Sequence, residues 1–324
     1  MPAAIRFHRT GGPEVLCLED VEIGAPAPGE ARVRHHAVGL NFIDTYHRSG
    51  LYPLPLPSGI GLEGAGVVEA VGEGVRDLAV GDRVAYAGGP VGAYSEVRCL
   101  PAERLLRLPE ALSFETGAAM MLQGLTTAYL LRRTYRVQPG DTVLIHAAAG
   151  GVGLIACQWA KALGATVIGT VSTEIKADLA RQHGCDHVIL YTREDVAKRV
   201  REITGGEGVA AVYDGVGKDT FMASIDSLRV RGTMVSFGNA SGPVPPFEPL
   251  LLSQKGSLFF TRPVLAHHTA KRDELLDLGR ELFDLVLAGR VNIEVNQRYA
   301  LADAAQAHRD LEARRTTGST ILVP

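Results

Sequence analysis

The chain is sparing with cysteine, with aromatic side chains and with charge imbalance. Its four cysteines, Cys17, Cys99, Cys157 and Cys185, lie far apart in 324 residues. No two have metal-ligand spacing, so neither a zinc knuckle nor a disulfide framework is expected. A reducing, cytoplasmic setting fits that usage. The formal net charge of −3 gives no global steering towards nucleic acid or a membrane surface. There is no basic run interleaved with aromatics and no RNP-like motif. Apolar runs are too short to span a bilayer, and Met1–His8 has no apolar core of the signal-peptide kind. Internal repeats and low-complexity segments are also missing. What is present is 46% hydrophobic residues, an ordinary globular composition over a length that suggests two domains.

The most informative stretch begins with the apolar strand Asp141–Ile145. It turns through His146-Ala147-Ala148-Ala149-Gly150-Gly151-Val152-Gly153 and leaves as an apolar helix, Leu154 to Leu163. Small residues let the backbone approach a pyrophosphate, and a helix N-terminus points unpaired N–H groups and a positive end at it. Ala148, Gly150 and Gly153 hold the three places of G-x-G-x-x-G, with alanine in the first. The strand before the turn and the helix after it favour a dinucleotide site over an ordinary tight turn.

Strands and helices alternate from there on. Strands are expected at Thr166–Val171, Asp186–Leu190, Val209–Asp214, Thr233–Phe237 and Ser257–Thr261. Helices are expected at Thr173–His183, Glu194–Thr204 and Asp219–Leu228. Continuous apolar strands separated by helices imply a parallel sheet covered on both faces, here a six-stranded Rossmann sheet in an α/β fold. Ser241–Pro246 reads as a proline-rich loop within it. The first 120 or so residues differ: short strands such as Ala31–Val38, Gly64–Gly72 and Gly81–Tyr86 alternate with Gly/Pro turns, as in a β-rich, partly barrel-like domain. Arg290–Pro324 reads as strand, helix and strand returning to that domain. The expected division is 1–124, 125–261 and 262–324.

Gly12-Pro13-Glu14-Val15-Leu16, Gly61-Leu62-Glu63-Gly64-Ala65-Gly66, Val80-Gly81-Asp82-Arg83-Val84 and the alanine-rich turn resemble signposts of the medium-chain dehydrogenase/reductase superfamily. Asn41-Phe42-Ile43-Asp44-Thr45-Tyr46, Ser49-Gly50-Leu51-Tyr52-Pro53, His146–Gly153 and Val235-Ser236-Phe237-Gly238-Asn239 resemble its zinc-free quinone oxidoreductase branch, which includes zeta-crystallin. The resemblance covers essentially the whole chain. It implies a GroES-like catalytic domain beside the Rossmann domain, and a homodimer joined through the nucleotide domain. An apolar sixth strand at a sheet edge points the same way.

In zinc alcohol dehydrogenases of that superfamily a Cys, a His and usually a second Cys hold the catalytic metal. The corresponding places here resemble Asn41, Leu62 and Gln123. Leucine offers no lone pair, amides are poor zinc ligands, and Glu63 alone cannot hold the ion. No metal is therefore expected. Without a Lewis acid an alcohol is hard to oxidise, whereas an electron-poor quinone or conjugated carbonyl needs less help.

An NAD enzyme would carry Asp or Glu at the tip of the second strand. Here Ser172 stands there, Lys176 follows one turn on, and Glu174 offsets part of its charge. That pattern favours the 2′-phosphate of NADPH, with Tyr191 and, more weakly, Arg314 as further contacts. Lys176 read alone is also an ordinary solvated helix residue. The resemblance places Asn41, Phe42, Ile43, Asp44, Tyr46, Gln123, Thr126 and Tyr129 near the nicotinamide. Val216, Phe237, Gly238 and Asn239 follow the fourth and fifth strands, where ligands gather, and Phe260, Thr261 and Arg262 end the sixth. Core packing for Phe237 and a turn for Asn239 stay open.

The expected chemistry is hydride transfer to a small-molecule quinone or conjugated carbonyl, with proximity and water exclusion as the main contributions. Asn41, Tyr46 and Tyr52 are the candidate catalytic residues. Either tyrosine is able to donate a proton to a developing oxyanion, or both simply line an apolar slot. Asn41 would orient cofactor or acceptor. Two other functions stay open: an NADPH-dependent enoyl or alkenal reductase, and a nucleotide- or RNA-binding protein with little catalysis. His146 reads as structural, His35-His36 as strand residues and His267-His268 as loop residues.

Overall fold

The computed structural model describes all 324 residues, which fall into two compact units. The first contains Met1–Leu125, His268–Leu287 and Ile293–Pro324; the second contains Thr126–His267 and Ala288–Asn292. The first crossing thus comes one residue after the expected boundary, and the second six residues after its own. The short return of Ala288–Asn292 was not foreseen. Tertiary hydrogen bonds hold it: Gln158 and Asn292 exchange a reciprocal pair (3.1 and 2.8 Å), and Arg290 donates to the Ala162 carbonyl. Neither contact has a local sequence signature.

In the first unit the long strand Glu30–Leu40 is the hub. It pairs antiparallel with Glu63–Val71, Val97–Pro101 and Ser319–Val323. Val295–Ala300 and Arg83–Ala87 extend the sheet on either side. A three-stranded sheet of Ala3–Phe7, Cys17–Asp20 and Ser58–Gly59 lies beside it. Alternation is visible along Ala31–His36, where Ala31, Val33 and His35 are buried while Arg34 and His36 are exposed. Helix packing here depends on missing side chains: a Cβ on Gly124 would come within 2.6 Å of Leu282, and one on Gly279 within 2.1 Å of Leu106. Helices Phe114–Tyr129 and Arg272–Leu287 carry these contacts.

The second unit is a six-stranded, wholly parallel sheet. Its spatial order is His187–Leu190, Thr166–Val171, Thr142–Ile145, Val209–Asp214, Leu228–Ser236 and Phe259–Thr261. Numbered by sequence, that order is 3-2-1-4-5-6, the doubly wound arrangement that the strand–helix alternation predicts. Its core joins Leu144, Ile168, Ile189 and Val212 from the strands with Val200, Phe221 and Ile225 from the helices. The fifth strand begins five residues earlier than expected and the sixth is two residues shorter. His267 and His268 close a four-residue helix, Leu265–His268, rather than lying in a loop. No helix is long and apolar enough to cross a membrane.

Candidate active site

In the second unit the turn after strand Thr142–Ile145 has the shape its glycines imply. Ala147 takes a left-handed φ of 51°. A Cβ on Gly153 would sit 2.3 Å from the Ala147 carbonyl oxygen, so only glycine fits. Gly150 caps the helix Gly151–Ala162 with no side-chain hydrogen bond, leaving the first-turn N–H groups of Gly151, Val152 and Gly153 without a side-chain cap. Ala148 is buried, and the glycine that the fingerprint places here has a substitute on the neighbouring strand. A Cβ on Gly169 would come within 2.7 Å of the Ala148 methyl and 2.6 Å of Cys185 Sγ. The space saved at 169 is spent at 148. This cradle fits a dinucleotide pyrophosphate.

The next helix, Glu174–Gln182, is capped by Thr173, whose Oγ1 accepts from the Lys176 N–H. Ser172 and Lys176 are half-buried at this end, and Tyr191 is exposed at the tip of the third strand. Thr192 Oγ1 donates to the Ser172 carbonyl, tying the two strand tips together. Arg193, not singled out from sequence, lies 3.5 Å from Glu174 and offsets its charge. The acid that complicated the reading of Lys176 thus already has a partner. Arg314 belongs to the first unit, with φ 59° after helix Ala304–Glu312.

At the fourth and fifth strand ends, Asp214 organises the loops, and sequence reasoning missed it. Its Oδ1 accepts from the Val216 and Gly217 N–H groups; its Oδ2 accepts from the Thr220 and Ser224 hydroxyls. His146 joins the same network through Ser224 and Thr170, so the structural reading of that histidine agrees with its contacts. Gly238 packs so tightly that a Cβ would lie 2.2 Å from the Gly215 carbonyl oxygen. The Phe237 ring covers Gly215, and the Asn239 carbonyl accepts from the Gly242 N–H in the turn that follows. Thr261 is half-buried and Arg262 reaches back to the Ser236 carbonyl. Phe260 lies within the sixth strand. Its ring joins an aromatic cluster with Phe221 and Phe247, because the short sixth strand turns that face into the core.

The first unit carries the other group. Asn41 caps the helix Phe42–Ser49 and is buried. Its Nδ2 donates to Glu63 Oε2 (2.6 Å), and its Oδ1 accepts from Gln123 Nε2 (3.2 Å). Glu63 Oε1 accepts from the Leu122 N–H, and Gln123 Oε1 accepts from the Ser319 hydroxyl. Burial pushes the Glu63 carboxyl up to about 8, opposed by these hydrogen bonds. The Asp44 side chain turns inward from the same helix. It is fully buried, and its Oδ2 accepts from the Asn41 N–H and the Tyr94 hydroxyl. A carboxylate at the third helical position turns inward to satisfy the start of its own helix. Burial pushes it up to about 7. Behind Tyr94 stand His308, Arg48 and Glu312.

Tyr46 is buried and packs edge-on against the half-buried Tyr52 at 5.2 Å, with Phe42 on its other side at 5.6 Å. Ile43 is half-buried on the same helix. Thr126 and Tyr129 share the helix Phe114–Tyr129 with Gln123 but fall in the second unit. Both are buried, and burial raises the Tyr129 phenol against the opposing charge of Arg262.

Two family models match, "Alcohol dehydrogenase GroES-like domain" over residues 27–110 and "Zinc-binding dehydrogenase" over residues 151–277. The chain is 58% identical over 325 residues to a quinone oxidoreductase of Pseudomonas aeruginosa, covering 100% of both. It belongs to the quinone oxidoreductase family of the medium-chain dehydrogenase/reductases. Within that family the Escherichia coli quinone oxidoreductase, solved in complex with NADPH, superposes with a TM-score of 0.98 at 52% identity, over 99% of this chain and 100% of that one. A 2-haloacrylate reductase of Burkholderia is 48% identical, covering 100% of this chain and 99% of its own. Full-length relatives at this identity are named quinone oxidoreductases, so the chain is an enzyme.

Proposed function

We propose that this chain transfers a hydride from NADPH to quinones without a metal ion. The observation that carries the metal-free part is the chemistry at Asn41, Leu62, Glu63 and Gln123. Two amides and a leucine stand at the three ligand places; the amides are already bonded to each other, and Asn41 is bonded to Glu63. Extracting a lone pair for zinc would break that chain, and amide oxygens are weak zinc ligands. When bound, the reduced nicotinamide supplies the hydride.

The protein's own part is binding and orientation. The cradle of Gly150, Gly151, Val152 and Gly153 receives the pyrophosphate. Ser172, Lys176 and Tyr191 receive the 2′-phosphate. Asn41 orients the reacting groups by hydrogen bonding. Tyr46 and Tyr52, edge to face, make an apolar aromatic wall for a flat acceptor and offer a phenolic proton to its oxygen. Similarity to a reductase of haloacrylates supports conjugated carbonyls as a second acceptor class.

A homodimer through the edge strand Phe259–Thr261 completes the proposal. Phe259 is 62% exposed on that edge, a cost that a twofold partner would remove.

The test is steady-state assay with NADPH and NADH against a panel of quinones and enals, before and after dialysis against a chelator. NADPH-dependent quinone reduction that survives dialysis is expected. Activity abolished by the chelator and restored by zinc would overturn the proposal.

A further inference from the structure

Above a pH of about 8 the buried Glu63 is ionised, and a carboxylate, unlike its protonated form, can only accept hydrogen bonds. That restriction propagates. The Leu122 N–H can only donate, and it meets Glu63 Oε1 at 2.8 Å. Asn41 must therefore turn Nδ2 towards Glu63, which leaves Oδ1 for Gln123 Nε2 and Gln123 Oε1 for the Ser319 hydroxyl, at 2.8 Å. Each amide has two orientations of nearly equal shape. The acceptor at the head of the line selects one of them for every member.

We infer that Glu63 is a positioning residue that sets which end of the Asn41 carboxamide donates and which accepts, through the hydrogen-bonded line Leu122–Glu63–Asn41–Gln123–Ser319. The inference rests on the reading of Asn41 as a group that touches cofactor or acceptor. A neutral glutamine at position 63 reverses the line without breaking it. Its oxygen still faces the Leu122 N–H, so its Nε2 meets Asn41, which turns over. Gln123 then turns over and donates to Ser319 Oγ, whose hydroxyl has the Ala119 carbonyl at 3.0 Å as an alternative acceptor. Packing is preserved while the polarity that Asn41 presents is inverted. Space for this carboxylate is protected on its other side, where a Cβ on Gly39 would come within 2.2 Å of Glu63 Oε2.

The experiment, run at about pH 9 so that Glu63 is ionised, compares Glu63→Gln, Glu63→Asp and Asn41→Leu, and the Glu63→Gln/Asn41→Leu double variant. In Glu63→Gln, kcat is expected to fall about tenfold or more, with the NADPH Kd and thermal midpoint near those of the parent. Glu63→Asp, which keeps an acceptor-only group, recovers part of kcat. In the Asn41→Leu background, Glu63→Gln changes kcat no further. The side-chain amide cross-peaks of Asn41, identified by their loss in Asn41→Leu, move in Glu63→Gln. An unshifted cross-peak, or the same fold-loss of kcat in the Asn41→Leu background, overturns the inference. An unchanged kcat in Asn41→Leu alone overturns the reading of Asn41 instead, and the cross-peaks still decide the role of Glu63. If Glu63→Gln fails to fold, Ser319→Ala tests the opposite end of the line, and unmoved Asn41 cross-peaks there are required of a line directed from Glu63.

Discussion

At the dinucleotide turn, one methyl group is enough to decide occupancy. Gly153→Ala forces a carbon to within 2.3 Å of the Ala147 carbonyl oxygen. Backbone on both sides leaves nothing flexible to yield, so the variant should lose about 1–3 kcal/mol of stability together with NADPH binding. Urea midpoints and a cofactor fluorescence titration read the two effects separately. At the adenosine end, Lys176→Ala should raise the NADPH Kd about tenfold and leave NADH alone, because a charge-assisted contact is worth roughly 1.5–3 kcal/mol. Equal losses for both coenzymes would remove Lys176 from the phosphate site. The histidines set a pH dependence. His35 is buried between the Ser95 carbonyl and the Tyr86 hydroxyl, and burial lowers it to about 4. The unfolded chain takes that proton from about 6.5 downwards, whereas the folded chain refuses it, so stability falls as pH drops from about 6.5 to 4. Replacement by glutamine should flatten that limb of a plot of urea midpoint against pH.

Between elements, the first two strands of the parallel sheet exchange bulk. Ala148 carries a methyl where the fingerprint carries none, and Gly169 withholds one. Gly169→Ala is therefore expected to cost about 1–3 kcal/mol by overpacking. Adding Ala148→Gly should recover part of that, with Cys185 Sγ, at 2.6 Å from the new carbon, accounting for the remainder. A double-mutant cycle in chemical denaturation measures the coupling, and strict additivity would contradict the exchange. Loop order at the far end of the sheet depends on Asp214 in the same way, since four donors from two segments converge on one carboxylate.

For the whole molecule, the exposed edge is the feature that a monomer explains least well. Phe259 on the edge strand leaves 62% of its surface to water, and Val230 on the neighbouring strand leaves 68%. If a second copy covers the edge strand, sedimentation of the parent should give about twice the chain mass of 34.5 kDa. Phe259→Asp should shift it down towards the single-chain mass, because a charge buried without a partner destabilises the interface. A parent already sedimenting at the chain mass would remove the dimer from the proposal.

The parallel sheet was legible because its determinants are local. Apolar strands, glycine-ended helices and a small-residue turn repeat within a span of thirty residues, and the observed strand order follows from handedness rules that need no distant contact. The first unit's β-character was legible for the same reason, and the poor zinc-binding chemistry of a leucine and two amides can be read from residue type alone. What the tertiary structure alone decided is where long-range partners satisfy buried polar atoms. Ser319 reaches Gln123 across 196 positions and Glu63 reaches Leu122 across 59. The inward turn of Asp44, the withdrawal of Phe260 into an aromatic cluster and the return of Ala288–Asn292 belong to the same class. Periodicity reports which face of an element is apolar. It carries no record of which polar group, hundreds of residues away, will be folded against it.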